Sequence, residues 1–153
     1  LFSSISFCYF SCFPVLDRCS LSCIVEHVLN AFLQGRQHGF PEQGVEARQQ
    51  QSAQQRIARA ITDNVRESDI VARWGGEEFV IISPNSNRAQ LLQVAEKVRK
   101  AVMALAGTPR VTVSLGVAAF PEDGDDVEAL LGVADGALYR AKTSGRNRVS
   151  SCS

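Results

Sequence analysis

Two acids that directly follow two glycines, Gly75-Gly76-Glu77-Glu78, are the residues of this chain whose types and spacing most readily support chemistry. They lie between Ile70-Val71-Ala72 and Phe79-Val80-Ile81-Ile82, short apolar β-branched runs that fit two buried strands. The glycine pair suits a tight hairpin turn and, lacking Cβ atoms, lets a ligand come close to the backbone. Neighbouring strand residues point to opposite faces, so one carboxylate can meet a ligand while the other faces away. Carboxylate oxygens suit Mg²⁺, which is usually held by one or two carboxylates together with phosphate oxygens and water; a phosphate-bearing substrate is the natural partner. Such a centre needs a second carboxylate from another strand. The competing reading is a plain hairpin with solvated acids.

Two further pairs carry charge at places where anions bind. Lys142 and Arg146 flank the end of a helical pattern, where they either compensate the helix dipole or neutralise a phosphate tail. Arg66 and Asp69, just before the first hairpin run, form either a surface ion pair or a site for guanine edges and phosphates.

The elements that must position these residues follow from periodicity. Ile57, Ala58, Ile61 and Val65 predict an amphipathic helix over 54–65, and residues 88–106 predict a second that Asn87 caps and Gly107 stops. Val111 to Ala119 reads as a buried strand. Asp125 with Glu128 resembles a capping box for a helix over 126–144, and residues 146–149 suit a short edge strand. Together these predict an α+β sandwich with a mostly antiparallel sheet.

The first third has a different texture. Cys8, Cys12, Cys19 and Cys23 fall there, whereas 53–149 has no cysteine. Their spacing contains no C-x-x-C and is read as free thiols. A helix is expected over 24–33; residues 34–55, with eight glutamines, read as loop. Leu1 to Leu16 is apolar but interrupted and too short to span a bilayer, so a membrane anchor is weakly supported. Sixteen basic and 16 acidic residues give zero net charge and no global signal for a nucleic-acid polymer. The chain opens on Leu, which suggests a fragment or an unusual start. The expected organisation is an atypical segment over 1–53, a domain over 54–149 and a tail over 150–153.

Arg66-Glu67-Ser68-Asp69 with DIVARWGGEEF, then VTVSLGVA, then ADGALYRAKTSGRNRV, resembles the GGDEF domain of diguanylate cyclases in its Gly-Gly-Glu-Glu-Phe form. The resemblance covers about residues 54–149 and rests on three ordered motifs. It implies the nucleotidyl cyclase type of α+β fold and a transferase of bacterial signalling. Two GTP molecules, one on each of two facing domains of a homodimer, would condense into cyclic di-GMP with release of pyrophosphate, aided by Mg²⁺ or Mn²⁺. It implies that Gly75 and Gly76 admit the nucleotide, that Glu77 binds metal and assists deprotonation of the attacking hydroxyl, and that Glu78 completes the substrate-binding signature. Lys142 and Arg146 would hold GTP phosphates. Arg66 and Asp69 match the inhibitory product site, joined by Lys97 or by Arg99. A cytoplasmic location goes with this reading.

The family's metal-binding Asp on the first strand, and the Asn and Asp that read guanine, have no counterpart: Asp17 is the sole Asp before Asp63, and Asn30 the sole Asn before Asn64. The fold is therefore expected to be incomplete at its N-terminal end, lacking a central strand, with a shifted reading frame as one origin of residues 1–53. Catalysis, a non-catalytic GTP or cyclic di-GMP binding module, and an inactive truncated product are the functional readings that follow.

Overall fold

The computed structural model describes residues 5–12, 45–75, 77–107 and 110–152. The expected helix over 24–33 and the loop over 34–44 lie outside these described residues. The elements run β1 (Ile5–Cys12), α1 (Val45–Thr62), β2 (Ile70–Gly75), β3 (Glu78–Pro84), α2 (Arg88–Met103), β4 (Val113–Ala119), α3 (Val127–Thr143) and β5 (Val149–Ser151). The strands form one sheet in the order β2-β3-β1-β4-β5.

The α+β class holds, but the sheet is mixed where a mostly antiparallel one was expected. Only the β2–β3 hairpin pairs antiparallel among the described strands; β1 pairs parallel with β3 and with β4, and β4 with β5. The cause lies in the connections. Helix α2 joins β3 to β4 and α3 joins β4 to β5, and a helical crossover returns the next strand in the same direction. The place between β3 and β4, expected to be vacant, is taken by Ile5–Cys12, a segment for which the apolar pattern had predicted no strand. Its sequence, ISFCYFSC, contains no carboxylate.

Helix α1 begins well before the expected start, so 45–55 is helical and not loop. Gln, Ala and Arg are good helix formers, and a polar composition argues against a core more strongly than against a helix. Asn87 caps α2 as expected: its Oδ1 accepts the Gln90 N–H at 3.0 Å, and Gln90 Oε1 accepts the Asn87 N–H at 2.9 Å. Helix α2 ends at Met103 with Ala104 as its C-cap, before Gly107. The cap of α3 is Asp126, one residue beyond the expected Asp125, with its carboxylate accepting the Ala129 N–H at 2.8 Å. The last strand is 149–151, where 146–149 had been expected.

Helices pack on both faces. On one, Ile57 and Ile61 of α1 and Leu91, Ala95, Val98 and Val102 of α2 meet Phe79, Ile81, Val113, Leu115 and Val117. On the other, Leu130, Ala134 and Leu138 of α3 meet Val80, Ile82 and Ala118. Helix α3 approaches β4 so closely that a Cβ on Gly116 would lie 2.0 Å from the Ala134 carbonyl oxygen and 2.5 Å from the Leu138 nitrogen. The chain end is tied in by Arg88, whose guanidinium meets Asp123 Oδ1 at 2.8 Å and donates to the Cys152 carbonyl.

Candidate functional site

The hairpin register places Gly75 opposite Glu78, with an irregularity between Arg73 and Gly75, so Glu77 lies at the tip. Gly75 is thus the last strand residue, and Gly76 lies outside the described residues. Glu77 is half-buried and Glu78 exposed. A pocket of about 150 Å³ opens between Trp74 and Glu78 of the hairpin and Leu131, Asp135 and Leu138 of α3. Sequence reasoning had not singled out Trp74 or Asp135. An acid beside the apolar stripe of α3 was the signal that could have found the latter.

Register fixes which residues share an edge of the sheet. Glu78 is level with Ser6, Ser6 with Ser114, and Leu115 with Val149. The hairpin tip, the start of β4 and the loop entering β5 therefore lie along one edge. From β3 to β5 is three strand spacings, roughly 14 Å. Half-buried Lys142, in the last turn of α3, and exposed Arg146, in the loop before β5, belong to this edge.

Arg66 and Asp69 lie at the opposite edge, because β2 starts opposite Ile82, near the far end of β3. They close a turn reciprocally: the Arg66 N–H donates to Asp69 Oδ2 at 2.8 Å and the Asp69 N–H to the Arg66 carbonyl at 3.0 Å. The exposed Arg66 guanidinium reaches Ser86 Oγ at 3.5 Å, a weak contact. Asp69 Oδ1 is buried and meets no hydrogen-bond donor among the described residues.

Lys97 is exposed on α2. Arg99, the other candidate for the product site, is engaged elsewhere. Its Nε and Nη2 donate to Glu96 at 2.8 and 2.6 Å, and Nη1 donates to Asn147 Oδ1 at 2.9 Å. The hydrogen bond from Arg99 holds the Glu96 carboxyl below its ordinary value of 4.5. A lowered carboxylate contributes stability that is fully present above the ordinary value and lost as pH falls through the lowered one. Glu96→Gln is therefore expected to reduce the thermal midpoint at pH 7, with the gap to the unmodified chain closing as pH falls below the ordinary carboxylate value of 4.5 and through the lowered one. Melting curves across that range check this; a gap that stays constant counts against it.

The donor set does not complete a centre for a resident divalent cation. The hairpin supplies Glu77 and Glu78, the sequence of neighbouring β1 supplies no carboxylate, and among the described residues no three His, Cys, Asp or Glu side chains converge. A hard cation would have to draw most of its oxygens from phosphate and water.

Comparison with known proteins fits this arrangement. Residues 52–148 match the family model described as "Diguanylate cyclase, GGDEF domain". Diguanylate cyclase DgcM of Escherichia coli is 44% identical over 95 residues, which cover 61% of this chain and 23% of that protein. The response regulator PleD of Caulobacter vibrioides is 43% identical over 103 residues, covering 61% of this chain and 22% of that one. The chain thus spans under a quarter of the length of these curated relatives. Among solved structures, the GGDEF domain of YfiN from Pseudomonas aeruginosa superposes with a TM-score of 0.55 at 38% identity, covering 63% of this chain and 64% of that one. The GGDEF domain of DgcB from Caulobacter crescentus, solved in complex with c-di-GMP, gives 0.57 at 28% identity, covering 65% and 63%. The matched region leaves the N-terminal end of the fold incomplete, while the hairpin, the basic edge and the Arg66–Asp69 turn all fall within it. By these matches the chain belongs to the GGDEF family and carries a diguanylate cyclase-type domain.

Proposed function

We propose that this chain is a guanine-nucleotide-binding GGDEF domain that takes GTP along the hairpin edge, takes cyclic di-GMP at the Arg66–Asp69 turn, and condenses GTP poorly or not at all. The observation that carries the last clause is the composition of the central strand: ISFCYFSC offers no carboxylate beside Glu77. Diguanylate cyclases of this family generally depend on a divalent metal. With no carboxylate on β1 beside the hairpin acids, Mg²⁺ or Mn²⁺ would arrive with the nucleotide and be held mainly by its phosphates.

The remaining roles rest on the chain's own residues. Gly75 and Gly76 leave room for the nucleotide at the tip, and Lys142 and Arg146 neutralise its triphosphate. The span of roughly 14 Å between hairpin and loop suits an extended nucleoside triphosphate. Lys97, exposed and in the middle of α2, joins the product site across a ligand bridging two copies of the domain. A homodimer with facing sites is the arrangement in which family chemistry would occur. Balanced charge favours nucleotide partners over nucleic-acid polymers. Among the described residues no helix is long and apolar enough to cross a membrane, and we assign the domain to the cytoplasm, where GTP is available. We further assign 54–149 to the family's domain, and propose that 1–53, which supplies β1 and the start of α1, has a separate origin such as a shifted reading frame.

The test is incubation of the purified chain with GTP and Mg²⁺ or Mn²⁺, with chromatographic detection of cyclic di-GMP, alongside calorimetric titration of both nucleotides. Expected are micromolar binding and product formation at least about a hundredfold below that of a complete family member, since one missing metal carboxylate removes several kcal/mol of charge stabilisation. Turnover comparable to a complete enzyme would refute the proposal, and so would absence of binding to either nucleotide.

A further inference from the structure

We infer that Arg99 is a positioning residue for the phosphate edge: braced by Glu96, it holds Asn147 and thereby fixes the loop that presents Arg146. The inference rests on the reading that Arg146 meets nucleotide phosphates. It starts from the backbone. Arg146 and Asn147 have φ of +59° and +47°, two consecutive non-glycine residues in the left-handed region. Asparagine tolerates that region; arginine has no local side-chain hydrogen bond to offset it, so the surroundings must impose the conformation.

Three sets of hydrogen bonds do so. On the helix side, the Arg146 N–H donates to the Ala141 carbonyl at 3.0 Å. On the sheet side, the Arg148 carbonyl accepts the Leu115 N–H at 2.9 Å. Between them, Arg99 Nη1 donates to Asn147 Oδ1 at 2.9 Å and to its carbonyl at 3.4 Å, and Asn147 Nδ2 donates to Met103 Sδ at 3.4 Å.

Arg99 is itself fixed. Its fork onto both Glu96 oxygens leaves Nη1 aimed at the loop, and its side chain is only 14% exposed. A planar guanidinium can serve Glu96 and Asn147 together; an ammonium cannot reproduce that fork. Arg146 is left exposed, with its direction set by the backbone that Arg99 holds.

The experiment combines a double-mutant cycle with amide exchange on the full chain. GTP binding is titrated by calorimetry for the unmodified chain, Arg99→Gln, Arg99→Lys, Arg146→Ala and the Arg99→Gln/Arg146→Ala double variant. Hydrogen exchange at the Arg146 amide is followed without nucleotide. Expected are GTP binding weaker by about tenfold in Arg99→Gln, a similar loss in Arg99→Lys, no further loss once Arg146 is alanine, and faster exchange at Arg146. Binding by Arg99→Lys equal to that of the unmodified chain would mean that charge alone matters and would overturn the inference. Equal losses in both backgrounds, or unchanged exchange, would do the same. If the unmodified chain binds no GTP, the proposed function fails, and exchange at Arg146 still decides whether Arg99 holds the loop.

Discussion

Gly116→Ala is expected to destabilise the domain by about 3 kcal/mol, lowering the thermal midpoint on the order of 15 °C. The new methyl would lie 2.0 Å from the Ala134 carbonyl oxygen and 2.5 Å from the Leu138 nitrogen, both main-chain atoms of α3. Rotamer changes cannot relieve such a clash, so the helix as a whole must move away from β4. That movement would open the contact of Leu130, Ala134 and Leu138 with Val80, Ile82 and Ala118, and would shift Lys142 and the loop that follows. Gly132→Ala provides the contrast. It lies in the same helix with nothing within 4 Å of the added atom, so it should leave stability unchanged or raise it by up to about 1 kcal/mol. Melting of the two variants side by side checks the argument; equal midpoints would show that α3 does not press on β4 as described.

Much of the scaffold around the site was legible in the sequence because its determinants are local. Spacings of three and four marked α1, Asn87 marked the start of α2, a capping acid marked the start of α3, and two glycines between β-branched runs marked the hairpin. Strand direction is not local. That β4 runs in the same direction as β3, on the other side of β1, follows from how α2 returns the chain, and no window of residues around Val113 contains that information. The strand at Ile5–Cys12 was missed for a related reason, since a segment mixing Ser, Cys, Phe and Tyr has no clean alternation, and its pairing is with residues more than seventy positions away.

The candidate site divides along the same line. Motif residues such as Glu77, Glu78, Arg66, Asp69, Lys142 and Arg146 could be named from the sequence, and register then distributed them to opposite edges of the sheet. The link from Arg99 to Asn147 spans 48 positions and could be seen only in three dimensions. Physical context also reassigned Arg99. An arginine two residues from Lys97 had looked like an alternative product-site cation, but a guanidinium already divided between Glu96 and Asn147 has few donors left for a ligand.

Arg66→Ala is expected to weaken cyclic di-GMP binding by between about ten- and a hundredfold while leaving the fold intact. The side chain contributes little to the turn, which is closed by the Arg66 backbone N–H to Asp69 Oδ2 at 2.8 Å and by the Asp69 N–H to the Arg66 carbonyl at 3.0 Å. Both bonds survive in alanine. What is lost is an exposed guanidinium whose contact with Ser86, at 3.5 Å, is too long to hold it away from a ligand. Its fork matches the O6 and N7 acceptors of guanine, a contact worth about 1–3 kcal/mol, and it meets phosphate oxygens equally well. Asp69→Ala should act differently, because it removes the acceptor that closes the turn and so combines lost affinity with a loss of stability of about 1 kcal/mol. Calorimetric titration of cyclic di-GMP, paired with thermal melting, separates the two effects. If Arg66→Ala binds as tightly as the unmodified chain, the product does not dock at this turn; if Arg66→Ala melts as early as Asp69→Ala, the guanidinium supports the turn and is not held in reserve for a ligand.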